Sequence, residues 1–339
     1  MSFIRNFNLC LIGFGTVGRS LVGLLNRKTA VLREQYGIEY RITGVATRKL
    51  AWLVAPGGFT AERLLNSDYS EGQRLEDLHA WLTAAKPDAL FEASSLNAET
   101  GEPAISYIRA ALAAGAHAIS ANKGPVVYAH DELTELAKAH GRHFYYESAM
   151  MDGAPVFSLF REALPALELR GFRGVLNSTT NVILERMESG MTLDDAVREA
   201  QRLGVAETDP SNDIEGIDAA VKVIGLANVL MGGNLSLGDI KRTGIRSITA
   251  ETLREARENG ETWKVICRAH RDSDGRITAS VAPERITPDD PLYSVRGTSL
   301  AIGFETDVFH ELFIAERDPG PEATAYGMLS DFINAVRSS

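Results

Sequence analysis

The sequence feature that most constrains the fold is a glycine-rich segment near the start of the chain, Gly13-Phe14-Gly15-Thr16-Val17-Gly18. An apolar run typical of a β-strand precedes it, and an amphipathic helical pattern follows it. In that setting Gly13 would form a tight turn, Gly15 would let the backbone approach a pyrophosphate, and Gly18 would pack the helix against the strand. The first helical residues, Thr16 and Val17, would offer backbone amides to the phosphates. The segment therefore predicts a dinucleotide-binding unit.

Apolar strands and helices alternate after this segment, a pattern typical of an α/β fold with a Rossmann-type, doubly wound parallel sheet. We expect strands at 8–12, 41–46, 89–93, 117–120 and 143–147, and helices at 75–85, 103–114 and 131–140. The pair Gly57-Gly58 predicts a loop. After residue 155 the pattern changes to that of a second domain with a mixed or antiparallel sheet. Its expected strands are 167–176, 263–270 and 277–281, its helices include 179–187 and 192–203, and a final helix covers 322–336.

The residues after the second strand bear on the choice of cofactor. An acid there would bind the ribose hydroxyls of NAD, but the chain has Thr47, Arg48 and Lys49. The planar guanidinium of Arg48 suits a 2′-phosphate, and Lys49 would add positive charge. A solvated loop is the alternative interpretation. The sequence favours NADP over NAD.

Two polar residues follow later strands of the same predicted sheet. Ser94 comes directly after the strand at 89–93, and Lys123 comes shortly after the strand at 117–120. Ligands of doubly wound sheets bind beyond the carboxyl ends of the strands. We therefore expect Ser94 and Lys123 to lie at the cofactor.

An acid-rich segment, residues 204–222, has the most unusual charge pattern of the chain. Apolar residues at helical spacing predict a helix that begins near Asp213 and carries Asp218 and Lys222 on one face. A surface ion pair is one interpretation of these two residues. Because the residues around them are nearly all apolar, we instead expect a buried helix, in which an Asp–Lys pair is costly to desolvate. Asp218 and Lys222 are therefore predicted site residues.

Composition excludes several classes of protein. The net charge of the 339 residues is −10 without a basic block, which argues against nucleic acid and anionic membranes as partners. Cys10 and Cys267 form neither a disulfide framework nor a zinc pattern, and their places in predicted strands argue against a catalytic thiol. The sequence shows no signal-peptide pattern and no run long enough to cross a bilayer. We expect a cytoplasmic protein that acts on a small molecule.

Four segments together resemble homoserine dehydrogenases: the glycine-rich segment, Ala121-Asn122-Lys123, residues 174–181, and residues 203–222, of which the last is the most specific. The resemblance covers essentially the whole chain and includes no regulatory ACT domain. It implies the NAD(P)-dependent interconversion of L-aspartate 4-semialdehyde and L-homoserine, a step of threonine and methionine biosynthesis, by a homodimer. It also implies a Rossmann domain at 1–149, completed by 300–339, and an α+β substrate-binding and dimerisation domain at 150–299.

The resemblance further implies roles for individual residues. Lys123 and Lys222 match two active-site lysines, and Asp218 matches the aspartate that works with the second. Three positions match residues that contact the substrate, namely Thr179, Glu207 and Asp213. A sodium ion would lie beside Glu147 and Met150, with backbone carbonyls among its ligands. Since hydride addition to an aldehyde leaves an alkoxide, a lysine can supply both the proton and the positive charge that the reaction needs.

Departures from the family's pattern fall near the expected ligands, at Met151 with Asp152, at Ser178, at Val205 and at residues 316–318. Asp152 would place an anion beside the substrate, and the acids of the 316–318 loop would repel a cofactor phosphate. Three hypotheses follow: a homoserine dehydrogenase that prefers NADP, a dehydrogenase of a related hydroxy compound, and a non-catalytic paralogue that binds cofactor. The buried lysine argues against the last of these, because a site without activity does not need it.

Overall fold

The computed structural model describes residues 4–337 and divides the chain into two compact units. The first unit runs to Phe157 and also contains the residues from Gly320 onward, whereas the second unit is Ser158–Pro319. Each unit is built around a β-sheet of its own. Within the described residues no helix is both long and apolar enough to span a membrane.

The first unit holds seven strands, β1 (Arg5–Ile12), β2 (Ile38–Thr47), β3 (Ala51–Phe59), β4 (Gln73–Leu75), β5 (Ala89–Glu92), β6 (His117–Ser120) and β7 (Phe144–Tyr145). Their order in the sheet is β4-β3-β2-β1-β5-β6-β7. Strands β2, β1, β5, β6 and β7 run parallel, while β3 and β4 form an antiparallel edge. The doubly wound parallel sheet is therefore confirmed, with an antiparallel extension that the sequence analysis did not predict.

The helices of this unit are α1 (Thr16–Tyr36), α2 (Ala61–Leu65), α3 (Leu78–Ala85), α4 (Ala104–Ala113), α5 (Lys123–Tyr128), α6 (His130–Ala139) and, from the end of the chain, α12 (Pro321–Arg337). An apolar core joins α1, α12 and the central strands. Phe332 of α12 makes edge-on contacts with the rings of Phe7 and Phe91, so the last helix belongs to the core of this unit.

The prediction of a loop at Gly57-Gly58 is wrong, because both glycines lie inside β3. The register of the β2–β3 pair shifts between Ile42 and Gly44, and Phe59 pairs with Ile42 beyond the shift. Gly58 has a φ of 95°, a conformation open to glycine, and this lets the strand continue through the irregularity.

The second unit holds β8 (Leu169–Val175), β9 (Lys241–Arg242), β10 (Thr262–Arg271), β11 (Ile277–Ile286), β12 (Leu300–Thr306) and β13 (Leu312–Glu316). The sheet order is β13-β12-β8-β10-β11-β9, antiparallel except for the β11–β9 pair, so the sheet is mixed as expected. Its helices are α7 (Ser178–Glu188), α8 (Leu193–Arg202), α9 (Ser211–Ile214), α10 (Ile217–Met231) and α11 (Ala250–Glu258).

Two expected boundaries differ from the observed ones. Residues 300–319 fall in the second unit, because β12 pairs with β8 and β13 pairs with β12. The helix expected from Asp213 is divided: α9 ends at Ile214 and α10 begins at Ile217. Gly216, with a φ of 73°, takes the left-handed conformation that separates the two helices.

Candidate active site

The glycine-rich turn joins β1 to α1, and its glycines allow close packing at two positions and leave open space at a third. Gly13 has a φ of 89°, and a Cβ atom on it would lie 2.3 Å from the carbonyl oxygen of Ala93. A Cβ on Gly18 would lie 2.5 Å from the Gly13 oxygen, whereas one on Gly15 would meet nothing within 4 Å. Glycine is therefore required for packing at positions 13 and 18, while position 15 faces open space beside the first residues of α1, Thr16 and Val17.

A cleft of about 790 Å³ opens at this turn. Besides Gly13 and Gly15, its wall includes Thr47, Arg48 and Lys49 after β2, Trp52 on β3, Ser94 after β5 and Tyr107 on α4. The cleft thus lies at the carboxyl ends of parallel strands, and Arg48 and Lys49 give it the positive charge that the sequence analysis predicted. The ring of Trp52 packs edge-on against Tyr107, with centroids 5.6 Å apart, and gives one wall an aromatic surface.

Beyond β6, Lys123 is the first residue of α5. Asn122 caps this helix through its Oδ1, which accepts a hydrogen bond from the Gly124 amide at 3.0 Å. The Asn122 Nδ2 donates to the Ser94 carbonyl oxygen at 3.2 Å. The Asn122 side chain therefore links the loop that carries Ser94 to the residue directly before Lys123.

In the second unit, the turn between β8 and α7 gathers acidic side chains from α9 and α10. Asn177 lies at this turn, and its Nδ2 donates to Asp213 Oδ1 at 2.6 Å and to Asp218 Oδ2 at 3.0 Å. Its Oδ1 accepts from the Thr180 amide at 2.8 Å and so caps α7. One buried amide group therefore holds two carboxylates and a helix end.

Lys222 reaches the same turn from α10. Its Nζ donates to the Leu176 carbonyl oxygen at 2.5 Å and lies 3.9 Å from Asp218 Oδ2. The side chains of Lys222 and Asp218 are 13% and 20% exposed, so water reaches both in part. The expected pair of Lys222 and Asp218 is therefore present, but it is partly exposed rather than fully buried. The nearest acceptor of Lys222 is the Leu176 carbonyl oxygen, and Asp218 also accepts a hydrogen bond from Asn177.

The other predicted substrate residues take different places in this unit. Thr179 is buried on α7, and its hydroxyl donates to the Val205 carbonyl oxygen at 3.0 Å. Glu207 is exposed, and only its backbone oxygen is held, by Gln201 Nε2 at 3.1 Å. The structure thus brings Asp213, Asp218 and Lys222 together at one turn, and it places the Glu207 carboxylate outside their hydrogen-bond network.

The two residues predicted beside a sodium ion lie in the first unit. Glu147 is buried, its carboxylate accepts a hydrogen bond from the Phe157 amide at 2.6 Å, and its own amide donates to Asp331 Oδ2 at 2.7 Å. Met150 is buried just beyond it. Among residues 4–337 no group of three or more histidine, cysteine, aspartate or glutamate side chains could hold a metal ion.

Comparison with known proteins connects this geometry to a family. The family model described as "Homoserine dehydrogenase" matches residues 155–333, and the model described as "Homoserine dehydrogenase, NAD binding domain" matches residues 13–147. The chain belongs to the homoserine dehydrogenase family. It is therefore an NAD(P)-dependent oxidoreductase that acts on a CH–OH group.

Full-length relatives and solved structures agree with this assignment. The NAD(+)-dependent homoserine dehydrogenase of Pseudomonas canavaninivorans is 34% identical over 99% of this chain and 98% of its own length. The homoserine dehydrogenase of Methanocaldococcus jannaschii is 33% identical over 98% and 99%. A hyperthermophilic archaeal homoserine dehydrogenase in complex with NADPH superposes with a TM-score of 0.84 at 28% identity, covering 99% of both chains.

Membership of this family supports homoserine dehydrogenase, the activity of the first hypothesis of the sequence analysis, and the relatives give no support to the other two hypotheses. The cysteines agree with chemistry that needs no thiol nucleophile. Cys10 and Cys267 are both buried, and burial raises the pKa of each thiol to about 12. Neither forms a thiolate at neutral pH.

Asp152 is the departure from the homoserine dehydrogenase pattern with the clearest structural partner. Its Oδ1 accepts a hydrogen bond from the Thr324 hydroxyl in the first turn of α12 at 3.0 Å, and its φ is 44°. Gly153 packs so tightly on α12 that a Cβ atom would lie 2.1 Å from the Ala323 carbonyl oxygen. The Asp152 carboxylate thus binds a helix of its own unit, a contact that sequence reasoning missed.

Acids of the 316–318 loop also have local partners. Asp318 Oδ1 lies 3.4 Å from the hydroxyls of Thr298 and Ser299, and its amide donates to Ser299 Oγ at 3.1 Å. Ser178 opens α7 directly after Asn177, and Val205 presents its carbonyl oxygen to Thr179. These departures are therefore built into hydrogen-bonded local structure of the homoserine dehydrogenase domain.

Three further buried polar residues were not singled out from the sequence. Asn177 stands in a quoted motif, but its bridge to two acids depends on α9 and α10. Glu92 at the end of β5 is fully buried. Lys264 on β10 donates to Asn181 Oδ1 at 2.8 Å and to the Val295 carbonyl oxygen at 2.6 Å. Burial lowers the pKa of Lys264 to about 8, and the positive charge of Arg296 contributes to this shift. An acid inside a predicted apolar strand was the available signal for Glu92.

Proposed function

We propose that this homoserine dehydrogenase interconverts L-aspartate 4-semialdehyde and L-homoserine with Lys222 as the proton-transfer residue and NADP as the preferred cofactor. The observation that carries the proposal is the β8–α7 turn, where the Leu176 carbonyl holds Lys222 and the Asn177 amide holds Asp213 and Asp218. Positive and negative groups are thus fixed side by side in a partly water-accessible place, as a small zwitterionic substrate requires.

The proposed chemistry assigns one task to each group. The nicotinamide cofactor, when bound, supplies a hydride to the aldehyde carbon or takes it back from the alcohol. The Lys222 ammonium stabilises the oxygen that becomes an alkoxide and transfers a proton to it, and the amine accepts that proton in the reverse direction. The Leu176 carbonyl accepts a hydrogen bond from the ammonium and so aims it, and the Asp218 carboxylate lies 3.9 Å from it.

Substrate recognition is proposed to use the remaining acids and one further lysine. Asp213 and Glu207 would bind the α-ammonium group of the substrate, with Thr179 as a hydroxyl partner, and Lys123 would bind the α-carboxylate. Asp213 is already oriented by Asn177, which supports this role. Glu207 is exposed, so its part in binding would require the loop that carries it to close on the substrate.

Cofactor binding is proposed in the cleft of the first unit. Gly13, Gly15 and the amides of Thr16 and Val17 would receive the pyrophosphate, Gly18 would hold the start of α1 close to the turn, and Ser94 would line the opposite wall. Arg48 and Lys49 would bind a 2′-phosphate. Solved archaeal relatives with NADPH support this choice, while the Pseudomonas relative is described as NAD(+)-dependent, so the preference needs a direct test.

Replacing Arg48 with aspartate is expected to reverse the preference or abolish it. The change removes a cation that pairs with the 2′-phosphate and adds an anion that repels it, so the Kd for NADPH should rise by about tenfold or more. Titrations with NADPH and NADH measure the ratio of the two affinities. Lys28→Asp, the same charge change on an exposed residue of α1, is the matched control. Equal affinities of the unmodified protein for the two cofactors would refute the preference.

A steady-state assay tests the proposed substrate. Purified protein with NADP should oxidise L-homoserine faster, at equal concentration, than a panel of other small hydroxy amino acids. Faster turnover of a different hydroxy compound would replace homoserine as the substrate while leaving the reaction class intact.

Three further properties belong to the same proposal. Glu147 and the Met150 carbonyl would hold a sodium ion, because a buried carboxylate and backbone oxygens are ligands suited to a hard cation. The second unit would form a homodimer, and the protein would act in the cytoplasm. Equilibrium sedimentation tests the dimer, and a sodium-dependent rise in melting temperature that a Glu147→Gln variant lacks tests the cation.

A further inference from the structure

Glu92 is an acid in a place where acids are rare. It is the last residue of β5, an interior strand of the seven-stranded sheet, and its relative exposure is 0%. A fully buried carboxylate is costly unless hydrogen bonds replace its water shell. An apolar side chain would fill such a position with a smaller desolvation penalty. The contacts of Glu92 show what the carboxylate does there.

Both oxygens of Glu92 accept hydrogen bonds. Oε1 receives the amide of Ser94 at 2.8 Å and its hydroxyl at 2.5 Å, while Oε2 receives the hydroxyl of Ser120 at 2.9 Å. All three partners are donors, which is the arrangement for an ionised carboxylate. Burial raises the pKa of Glu92, and the hydrogen bonds from Ser94 and Ser120 oppose that rise.

The two oxygens lead to two different parts of the candidate active site. Through Oε1, Glu92 fixes the backbone and side chain of Ser94, which lines the cofactor cleft. Through Oε2 it fixes Ser120, whose Oγ accepts the amide hydrogen bond of Asn122 at 3.0 Å. Asn122 is the residue before Lys123 and caps its helix.

The Asn122 side chain returns to the Ser94 carbonyl oxygen at 3.2 Å and closes a ring of hydrogen bonds. Its members are Glu92, Ser94, Asn122 and Ser120. Because β5 and β6 are neighbouring parallel strands, this ring ties together the two loops that leave their carboxyl ends. Its only charged member is Glu92, so both loops take their position from one carboxylate.

We propose that Glu92 is a positioning residue of the homoserine dehydrogenase site, which sets Ser94 toward the cofactor and, through Asn122, sets Lys123 toward the substrate. This inference rests on the roles proposed above for Ser94 and Lys123. It assigns a function in catalysis to a residue that touches neither substrate nor cofactor.

The test compares two replacements of similar size. Glu92→Met keeps the volume but removes both acceptors, so the Kd for NADPH should rise and kcat on homoserine should fall, each by about tenfold or more, the size of a lost hydrogen bond to a charged group. Glu92→Gln keeps one acceptor oxygen for Ser94, and its amide can donate to Ser120 Oγ. The Ser120 hydroxyl can then donate to the Asn122 carbonyl oxygen, which lies 3.4 Å from it in the unmodified protein. The glutamine variant should therefore recover most of both losses.

Two single variants separate the two arms of the ring. Ser94→Ala should raise the Kd for NADPH more than it lowers kcat, whereas Ser120→Ala should lower kcat more than it raises that Kd. These variants and Glu92→Gln keep the test decisive if Glu92→Met does not fold. A merely structural role would lower the melting temperature of all four without this division.

Several results would overturn the proposal. The first is a folded Glu92→Met variant with the NADPH affinity and kcat of the unmodified protein. The second is a Glu92→Gln variant as impaired as Glu92→Met. The third is that Ser94→Ala and Ser120→Ala both keep the NADPH affinity and kcat of the unmodified protein. If the unmodified protein fails to oxidise homoserine, the proposed substrate fails. The NADPH titrations still decide the position of Ser94, because they require no turnover.

Discussion

Lys222→Ala should lower kcat on homoserine by about 10²–10⁴-fold, the range for loss of a group that transfers a proton in the transition state. The alkoxide oxygen would then lose both its proton source and the nearest positive charge. Cofactor affinity should stay within about twofold, because the groups proposed to bind the cofactor phosphates, the glycine-rich turn with Arg48 and Lys49, do not include Lys222. Steady-state kinetics and an NADPH titration on the same preparation measure the two effects.

Two further variants separate catalysis from packing at this position. Lys222→Arg should not restore turnover, because a guanidinium keeps its proton at any working pH. Lys241→Ala removes an exposed lysine of the same unit and serves as the control for loss of positive charge. A folded Lys222→Ala variant with nearly normal kcat on the true substrate would remove Lys222 from the mechanism. A lowered melting temperature with normal specific activity would show that the lysine is structural.

Asn177→Asp should lower kcat by about 10²-fold, the effect of a displacement of about 1 Å in a reacting group. Aspartate caps a helix as well as asparagine does, so α7 should keep its N-terminus. The amide that donates to Asp213 and Asp218 would become a third carboxylate, and like charges would push the two acids away from their present positions.

The pH profile distinguishes repulsion from simple loss of a contact. Three adjacent carboxylates raise the pKa of one another, so the Asn177→Asp cluster should take up a proton as the pH falls and regain a donor. Its turnover relative to Asn177→Ser, which caps α7 without adding charge, should therefore rise at lower pH. Asp77→Asn, the reverse exchange at the cap of α3, is the control for capping itself. Normal turnover of Asn177→Asp would show that Asn177 does not orient the acids.

Many of the helices and strands, and the chemistry of several turns, could be predicted from the sequence alone. Periodicity and turn residues act over a few neighbouring positions, so β6, the glycine-rich turn and the cation at position 48 could be identified without the fold. Where local signals conflicted, the prediction failed. A glycine pair suggested a loop inside β3, and the left-handed Gly216 that divides α9 from α10 went unnoticed.

The pairing of polar groups that lie far apart in the sequence depends on the folded arrangement of strands and helices. The Asn177 amide contacts acids that are 36 and 41 residues away in sequence, and Lys222 contacts a carbonyl 46 residues away. Glu92 contacts Ser120 across 28 residues. Such partners depend on the order of strands in a sheet and on where each helix crosses the sheet. Neither can be predicted from a pattern of neighbouring residues. A buried polar group takes the partner that the packed fold brings to it, because the cost of leaving it unpaired is paid only once the chain has folded.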